Sequence, residues 1–278
     1  MVSTSEISTC IQHLLSGIGH RHESFPQYDP QYWEPYHDWM LNTLGPASTW
    51  SVKKLTELEH TAGGIAERSY TCASLEMKLL LAKLTAIAIL IDDSIDDQAV
   101  HDEIVQFSAK LYRGESQRNG LLALYYTHLQ ELSDICGGDS VLRGVAIVPW
   151  INHIDACLME KQILTAERSK CENEDGLALR FPQYLRNKNS IAEAYAAGIF
   201  KATRDQYLPL NRYIKAFPDV AFFTEAVNDI LSFHKGGDRR GNLQFGPLSH
   251  TFNLVFRSTR YWTEWRVDAI RHTEAHLR

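Results

Sequence analysis

Apolar residues recur along this chain at the 3.6-residue spacing of helices, and alternating β-branched runs bounded by tight turns are absent. Ile7, Ile11, Leu14 and Leu15 form such a stripe over residues 5–16. Pro26, Pro30 and Pro35 mark a loop and a helix start ahead of Trp39, Met40 and Leu44. The pattern predicts further helices over 52–67, 71–92, 121–134, 140–165, 189–200 and 219–235, several of them apolar on most faces. Pro149 is expected to kink or split the helix over 140–165. Asn119-Gly120 lacks strand-like flanks and reads as a turn between helices, and Gly137-Gly138-Asp139-Ser140 reads as a turn able to cap the next helix. Residues 166–180 read as a polar loop. A breaker-rich stretch follows over 236–250, and a last helix over about 252–270. The expected architecture is all-α, a single helical bundle spanning 1–278.

Two polar clusters interrupt this pattern. The apolar run 79–91 ends in Asp92-Asp93-Ser94-Ile95-Asp96-Asp97. A helix C-terminus already carries partial negative charge, so carboxylates there repel it and one another. A hard divalent cation such as Mg²⁺ would compensate, since it takes oxygen ligands. Residues four apart lie about 40° apart around a helix, so Asp92 and Asp96 are expected to share a face, as are Asp93 and Asp97. The bland alternative is a solvated acidic helix end. The second cluster, Asn228-Asp229-Ile230-Leu231-Ser232-Phe233-His234-Lys235, closes the apolar segment from Val220. Asn228 and Ser232 offer neutral oxygens on one face, with Lys235 near it to reach an anion. The bland alternative here is capping or back-bonding to the helix itself.

Composition narrows the function classes. Lys plus Arg number 28 against 34 Asp plus Glu, a net charge of −6, and no large basic cluster occurs; nucleic acid is not an expected partner. The five cysteines are scattered without metal or disulfide spacing, which fits a reducing compartment. The first residues lack a basic start and apolar block, and the run around 79–91 is too short to span a bilayer, so a soluble cytoplasmic protein is expected. Tyr32, Trp33, Tyr36 and Trp39 read as bundle packing. His20 and His22 read as surface residues, and His153 as a hydrogen-bonded core residue. Glu160, on the same helix as His153, could face a cavity.

Taken together, the two clusters resemble the paired metal-binding motifs of class I terpene cyclases. The wording Asp-Asp-Ser-x-Asp-Asp at 92–97 is closest to the fungal trichodiene-synthase-like sesquiterpene cyclases, and Phe181-Pro182-Gln183-Tyr184-Leu185-Arg186 resembles their arginine-bearing stretch. The resemblance runs over about residues 50–235. It implies a Mg²⁺-dependent sesquiterpene cyclase that ionises farnesyl diphosphate with several Mg²⁺ ions and cyclises the resulting carbocation. Asp92 would be the principal metal ligand, supported by Asp93 and Asp96, with Asn228 and Ser232 holding another ion. Arg186, Lys235, Arg260 and Tyr261 would bind diphosphate. Thr85 and Ala88, one and two turns before the acidic motif, would line the pocket. The implied partner is a small-molecule isoprenyl diphosphate, with a homodimer as a possible assembly.

The chain departs from that family at two places. The third ligand of the second motif, eight residues after Asn228, is replaced by Gly236, and the nearest acid is Asp238. Arg260 follows Asn228 by only 32 positions, less than the family needs for two intervening helices. The expected bundle is therefore of the class I terpenoid synthase type but incomplete at its C-terminal side, with family helices missing around 236–250. Two alternatives follow: a catalytically inactive shortened cyclase homologue, and a chain-elongating prenyltransferase. The latter class uses two Asp-rich motifs, and Asn228–Lys235 is not one.

Overall fold

The computed structural model describes residues 4–17, 19, 28–169 and 181–236, and among them the chain is helical with no strand. In chain order the helices are α1 (Thr4–Gly17), α2 (Pro30–Trp39), α3 (Val52–Ser69), α4 (Leu75–Ser94), α5 (Gln98–Arg113) and α6 (Gly120–Cys136). They continue as α7 (Ser140–Ser169), α8 (Phe181–Asn189), α9 (Ala192–Phe200), α10 (Leu210–Tyr213) and α11 (Phe217–Gly236). A π-turn, Met40–Leu44, prolongs α2. Gly236, where the expected loop over 236–250 starts, is the last residue of α11; residues 237–250, Asp238 among them, the helix over 252–270 and His20 and His22 lie outside the described residues.

Local chemistry starts these helices where it should. Asp29, Ser51, Ser74, Asp97 and Asn119 each turn a side-chain oxygen onto an amide of the first turn of α2 to α6, in that order. Asp139 Oδ1 accepts from Leu142 N at 2.9 Å and starts α7 the same way. Asn119-Gly120 is the cap and first residue of α6.

Two compact units are present: Pro26–Lys215, and Met1–Phe25 together with Ala216–Arg278. In the first, α4 is the central helix. Met77, Leu80, Leu81, Ala82, Leu84, Ile87, Ala88, Leu90 and Ile91 are all buried, so α4 is enclosed on nearly every side. Tyr32, Tyr36 and Trp39 of α2 pack as stacked rings with centroids 6.1 and 6.0 Å apart. Their hydroxyls are paid off inside the fold, Tyr32 to Gly63 O at 2.8 Å and Tyr36 to Ala82 O at 3.3 Å. Each ring so buried contributes roughly 2–3 kcal/mol. Small residues bring α9 close to α4: a Cβ on Gly198 would stand 2.8 Å from Leu81 Cδ1.

Of the kink or split expected at Pro149, the split does not occur. α7 is one helix, and Pro149 is buried within it. Packing against α4, α5, α6, α8 and α9 outweighs one lost backbone hydrogen bond. Its segment Ser140–Ile163 is long and apolar enough to cross a membrane by length and composition, with 44% of it buried inside the protein. The helix expected over 189–200 is α9, which starts at Ala192, and the shorter α8 precedes it, separated at Ser190 and Ile191. Ser190 Oγ accepts from Ala192 N at 3.0 Å and starts the new helix.

In the second unit, Ala226 of α11 is buried, with Ile11 of α1 and Phe222, Phe223 and Val227 packed on it.

Candidate functional site

The end of α4 carries the acidic cluster, and each carboxylate has a different neighbour. Asp92, half-buried in the last turn, receives the Cys157 thiol, Sγ to Oδ1 3.6 Å. Asp93 is exposed, about 100° round the helix from Asp92. It borders an open groove of about 370 Å³ lined by Thr49, Trp50, Ser51, Lys54, Ser94 and Asp97. α4 stops at Ser94, so Asp96 lies in the following turn and the expected shared helix face of Asp92 and Asp96 does not form. Asp96 is 91% exposed and sits 3.2 Å from Lys161 Nζ. Asp97 Oδ1 accepts from Ala99 N at 2.9 Å and caps α5.

The charge at this helix end is met from α7. Lys161 Nζ donates to Ile95 O at 2.6 Å as well as pairing with Asp96. A cation at a helix C-terminus is favoured by the helix dipole. Asp97 thus serves the α5 N-terminus and Asp96 pairs with Lys161.

One stripe of α7 runs from this turn to α8. His153, Cys157, Glu160 and Lys161 follow at i, i+4, i+7 and i+8, which places them on one face. His153 is buried, and its Nδ1 contacts Asn189 Oδ1 at 2.6 Å and Asn189 O at 3.3 Å. Both are acceptors, so Nδ1 carries the proton. His153 Nε2 lies 3.7 Å from Cys157 Sγ and 3.4 Å from Ala88 O. Asn189 Nδ2 donates to Glu160 Oε1 at 3.0 Å, and Lys188 to Asn152 at 2.9 Å. The end of the Arg186-bearing helix is therefore fastened to the helix that also holds the acidic turn. Arg186 itself is half-buried. Burial pushes the Cys157 thiol well up, and the Asp92 and Glu160 carboxylates add to it.

Thr85 and Ala88 are both buried on α4. Thr85 Oγ1 donates to Leu81 O at 2.7 Å, so the 3.1 Å contact with Tyr195 is donated by the tyrosine hydroxyl. Burial pushes that phenol up to about 12. An aromatic series leads away from it: Tyr195 to Trp150 at 5.5 Å, Trp150 to Tyr125 at 6.4 Å and Tyr125 to Phe107 at 5.9 Å.

In the other unit, Asn228 is exposed on α11, and Ser232, Lys235 and Gly236 follow on the same helix. The side chains of Ser232 and Lys235, and all of Arg260 and Tyr261, lie outside the described residues.

No family model matches the chain. It is 29% identical over 166 residues to terpene synthase BipA of Cochliobolus sativus, covering 60% of this chain and 48% of that protein. It is 28% identical over 229 residues to an (E)-beta farnesene synthase of Metarhizium brunneum, covering 81% and 65%. Its fold matches a linalool/nerolidol synthase from Streptomyces clavuligerus with a TM-score of 0.64 at 13% identity, over 92% of this chain and 91% of that one. The chain is similar in sequence to these fungal terpene synthases, and its all-α fold matches that of the bacterial one. It spans about half the length of the Cochliobolus relative that it matches.

The acidic turn suits the Mg²⁺ that such a fold implies. Asp92, Asp93 and Asp96 offer hard oxygen donors. Among the described residues no three His, Cys, Asp or Glu side chains converge to hold a metal by themselves. Magnesium does not require that, because it keeps several waters and takes one or two carboxylates plus substrate phosphates. The α7 stripe was not among the site residues expected from the sequence. Its signal was there, since four polar residues at helical spacing interrupt an apolar helix, but nothing in the spacing told which helix they would meet.

Proposed function

We propose that the chain is a terpene synthase of the sesquiterpene cyclase type, acting on farnesyl diphosphate. The observation that supports it most is the half-buried Asp92 ending the apolar core helix α4, in a chain whose relatives are terpene synthases. In this reading Asp92, with Asp93 and Asp96, holds Mg²⁺, and Asn228 and Ser232 hold another ion. Bound Mg²⁺ supplies positive charge that stabilises the departing diphosphate. Arg186, Lys235, Arg260 and Tyr261 donate to the diphosphate oxygens, which favours ionisation in the same direction. Thr85 and Ala88 then contribute small wall positions to the apolar pocket. The rings of Tyr195 and Trp150 offer faces that can stabilise a carbocation.

The test is direct. The purified chain is incubated with farnesyl diphosphate and Mg²⁺, and volatiles are identified by gas chromatography and mass spectrometry. Cyclic C15 hydrocarbons are expected, and Asp92→Ala should lower output about a hundredfold or more. Longer prenyl chains would instead favour prenyl transfer. Hydrocarbon output that survives Asp92→Ala would refute the assignment of this residue.

One observation favours a second reading, a catalytically inactive homologue. α11 extends to Gly236, so the position of the family's third ligand is on the helix but has no side chain to donate. Absence of turnover with retained Mg²⁺-dependent binding of inorganic diphosphate would support it.

A further inference from the structure

The acidic turn is already served by a cation of the chain itself. Lys161 is three-quarters buried, and its ammonium makes two contacts with this turn, Ile95 O at 2.6 Å and Asp96 Oδ1 at 3.2 Å. A helix-end carbonyl does not require a lysine, because water or a local turn satisfies it as well. Ordering a lysine chain against two partners of one short turn costs side-chain entropy. The return is charge: the turn holds four carboxylates next to the negative end of α4. We propose that Lys161 is the resident counter-ion of the acidic turn and that a divalent cation must displace or outweigh it there, so that Lys161 sets how tightly the turn takes metal. The inference rests on the reading of this turn as the Mg²⁺ site.

Three features carry it. Asp96, one of the carboxylates that the Mg²⁺ reading needs, is the one paired with Lys161. Asp92 is held separately from the same helix, through Cys157. An ammonium and a divalent ion on one carboxylate repel each other. Across a few ångströms that repulsion is worth about tenfold in affinity even in a well-screened setting. Lys161 therefore keeps the empty turn from repelling itself and weakens its hold on Mg²⁺. This gives a site that fills well only when diphosphate oxygens add their charge.

The alternative is that Lys161 merely fastens the end of α4 to α7. Lys161→Gln separates the two, because the amide can still donate to Ile95 O while the charge is gone. Mg²⁺ alone is titrated into the wild-type chain and into Lys161→Gln, Lys161→Arg and Asp92→Asn by isothermal calorimetry, with thermal unfolding as a check on folding. Lys161→Gln should bind Mg²⁺ about tenfold more tightly, and Lys161→Arg should stay near wild type. Unchanged or weaker binding in a folded Lys161→Gln would overturn the proposal. If Mg²⁺ binds the wild type, is lost in Asp92→Asn and is indifferent to Lys161→Gln, the metal reading stands and only the role of Lys161 falls. If neither the wild type nor Lys161→Gln binds Mg²⁺, the metal reading of the turn falls with it. Should Lys161→Gln fail to fold, Lys161→Met is read by the same criterion, and failure of both shows a purely structural lysine.

Discussion

Asp97 Oδ1 lies 2.9 Å from the amide of Ala99, where it stands first in line for the amides that open α5. A carboxylate bound this way is stabilised by the positive end of the helix and does not need a metal. Asp97→Ala should destabilise the protein by about 1 kcal/mol, and Asp97→Asn should recover most of that. Urea unfolding measures both, and Mg²⁺ affinity should stay nearly constant across the pair. A loss of metal binding in Asp97→Ala would show that the cap also serves the site. The same residue marks the reach of the sequence. Four acids after an apolar run announce an electrostatic problem, and the candidate site was legible to that extent. Which acid is met by Lys161 and which by the Cys157 thiol depends on a helix more than sixty positions away. Local spacing carries no record of that.

At the scale of elements, most helices could be read from their apolar stripes, because each presents one face to a shared core. α5 was not anticipated. Only Val100, Ile104 and Phe107 form its buried apolar stripe, and exposed polar residues dominate the rest. At Pro149, packing on several sides keeps α7 continuous through a residue that would break an isolated helix. The close approach of α9 to α4 was also hidden, because a glycine in a helix pattern usually reads as weakness. Here Gly198 is where Leu81 and Tyr70 come within 2.8 and 2.9 Å of an added Cβ. Gly198→Ala should therefore destabilise by about 1–3 kcal/mol despite its better helix propensity, as measured by chemical denaturation. A neutral or stabilising result would show that Leu81 moves aside without cost.

The whole molecule carries several phenols in low-dielectric surroundings, and this sets its behaviour in base. Burial raises Tyr195 from 10.0 to about 12, and raises Tyr36, Tyr70 and Tyr125 well above the same starting value. The unfolded chain loses these protons first, so it binds fewer than the native state from pH 10 upward. The stability that these phenols contribute is present below pH 10 and is lost steadily as the pH rises towards 12. Tyr195→Phe should make that fall shallower, which urea unfolding at several alkaline pH values would reveal; an unchanged slope would mean that Tyr195 ionises freely in the native state. Chemical labelling follows a similar division between outside and inside. Among the described residues Cys72 is exposed, while Cys136 and Cys157 are buried, with Cys136 pushed up to about 11. An alkylating reagent acts on the thiolate form. At neutral pH it will therefore take Cys72, at the turn between α3 and α4, and spare the thiol beside Asp92. With Cys10 and Cys171 replaced, that one handle accepts a fluorophore without touching the acidic turn it would be used to watch.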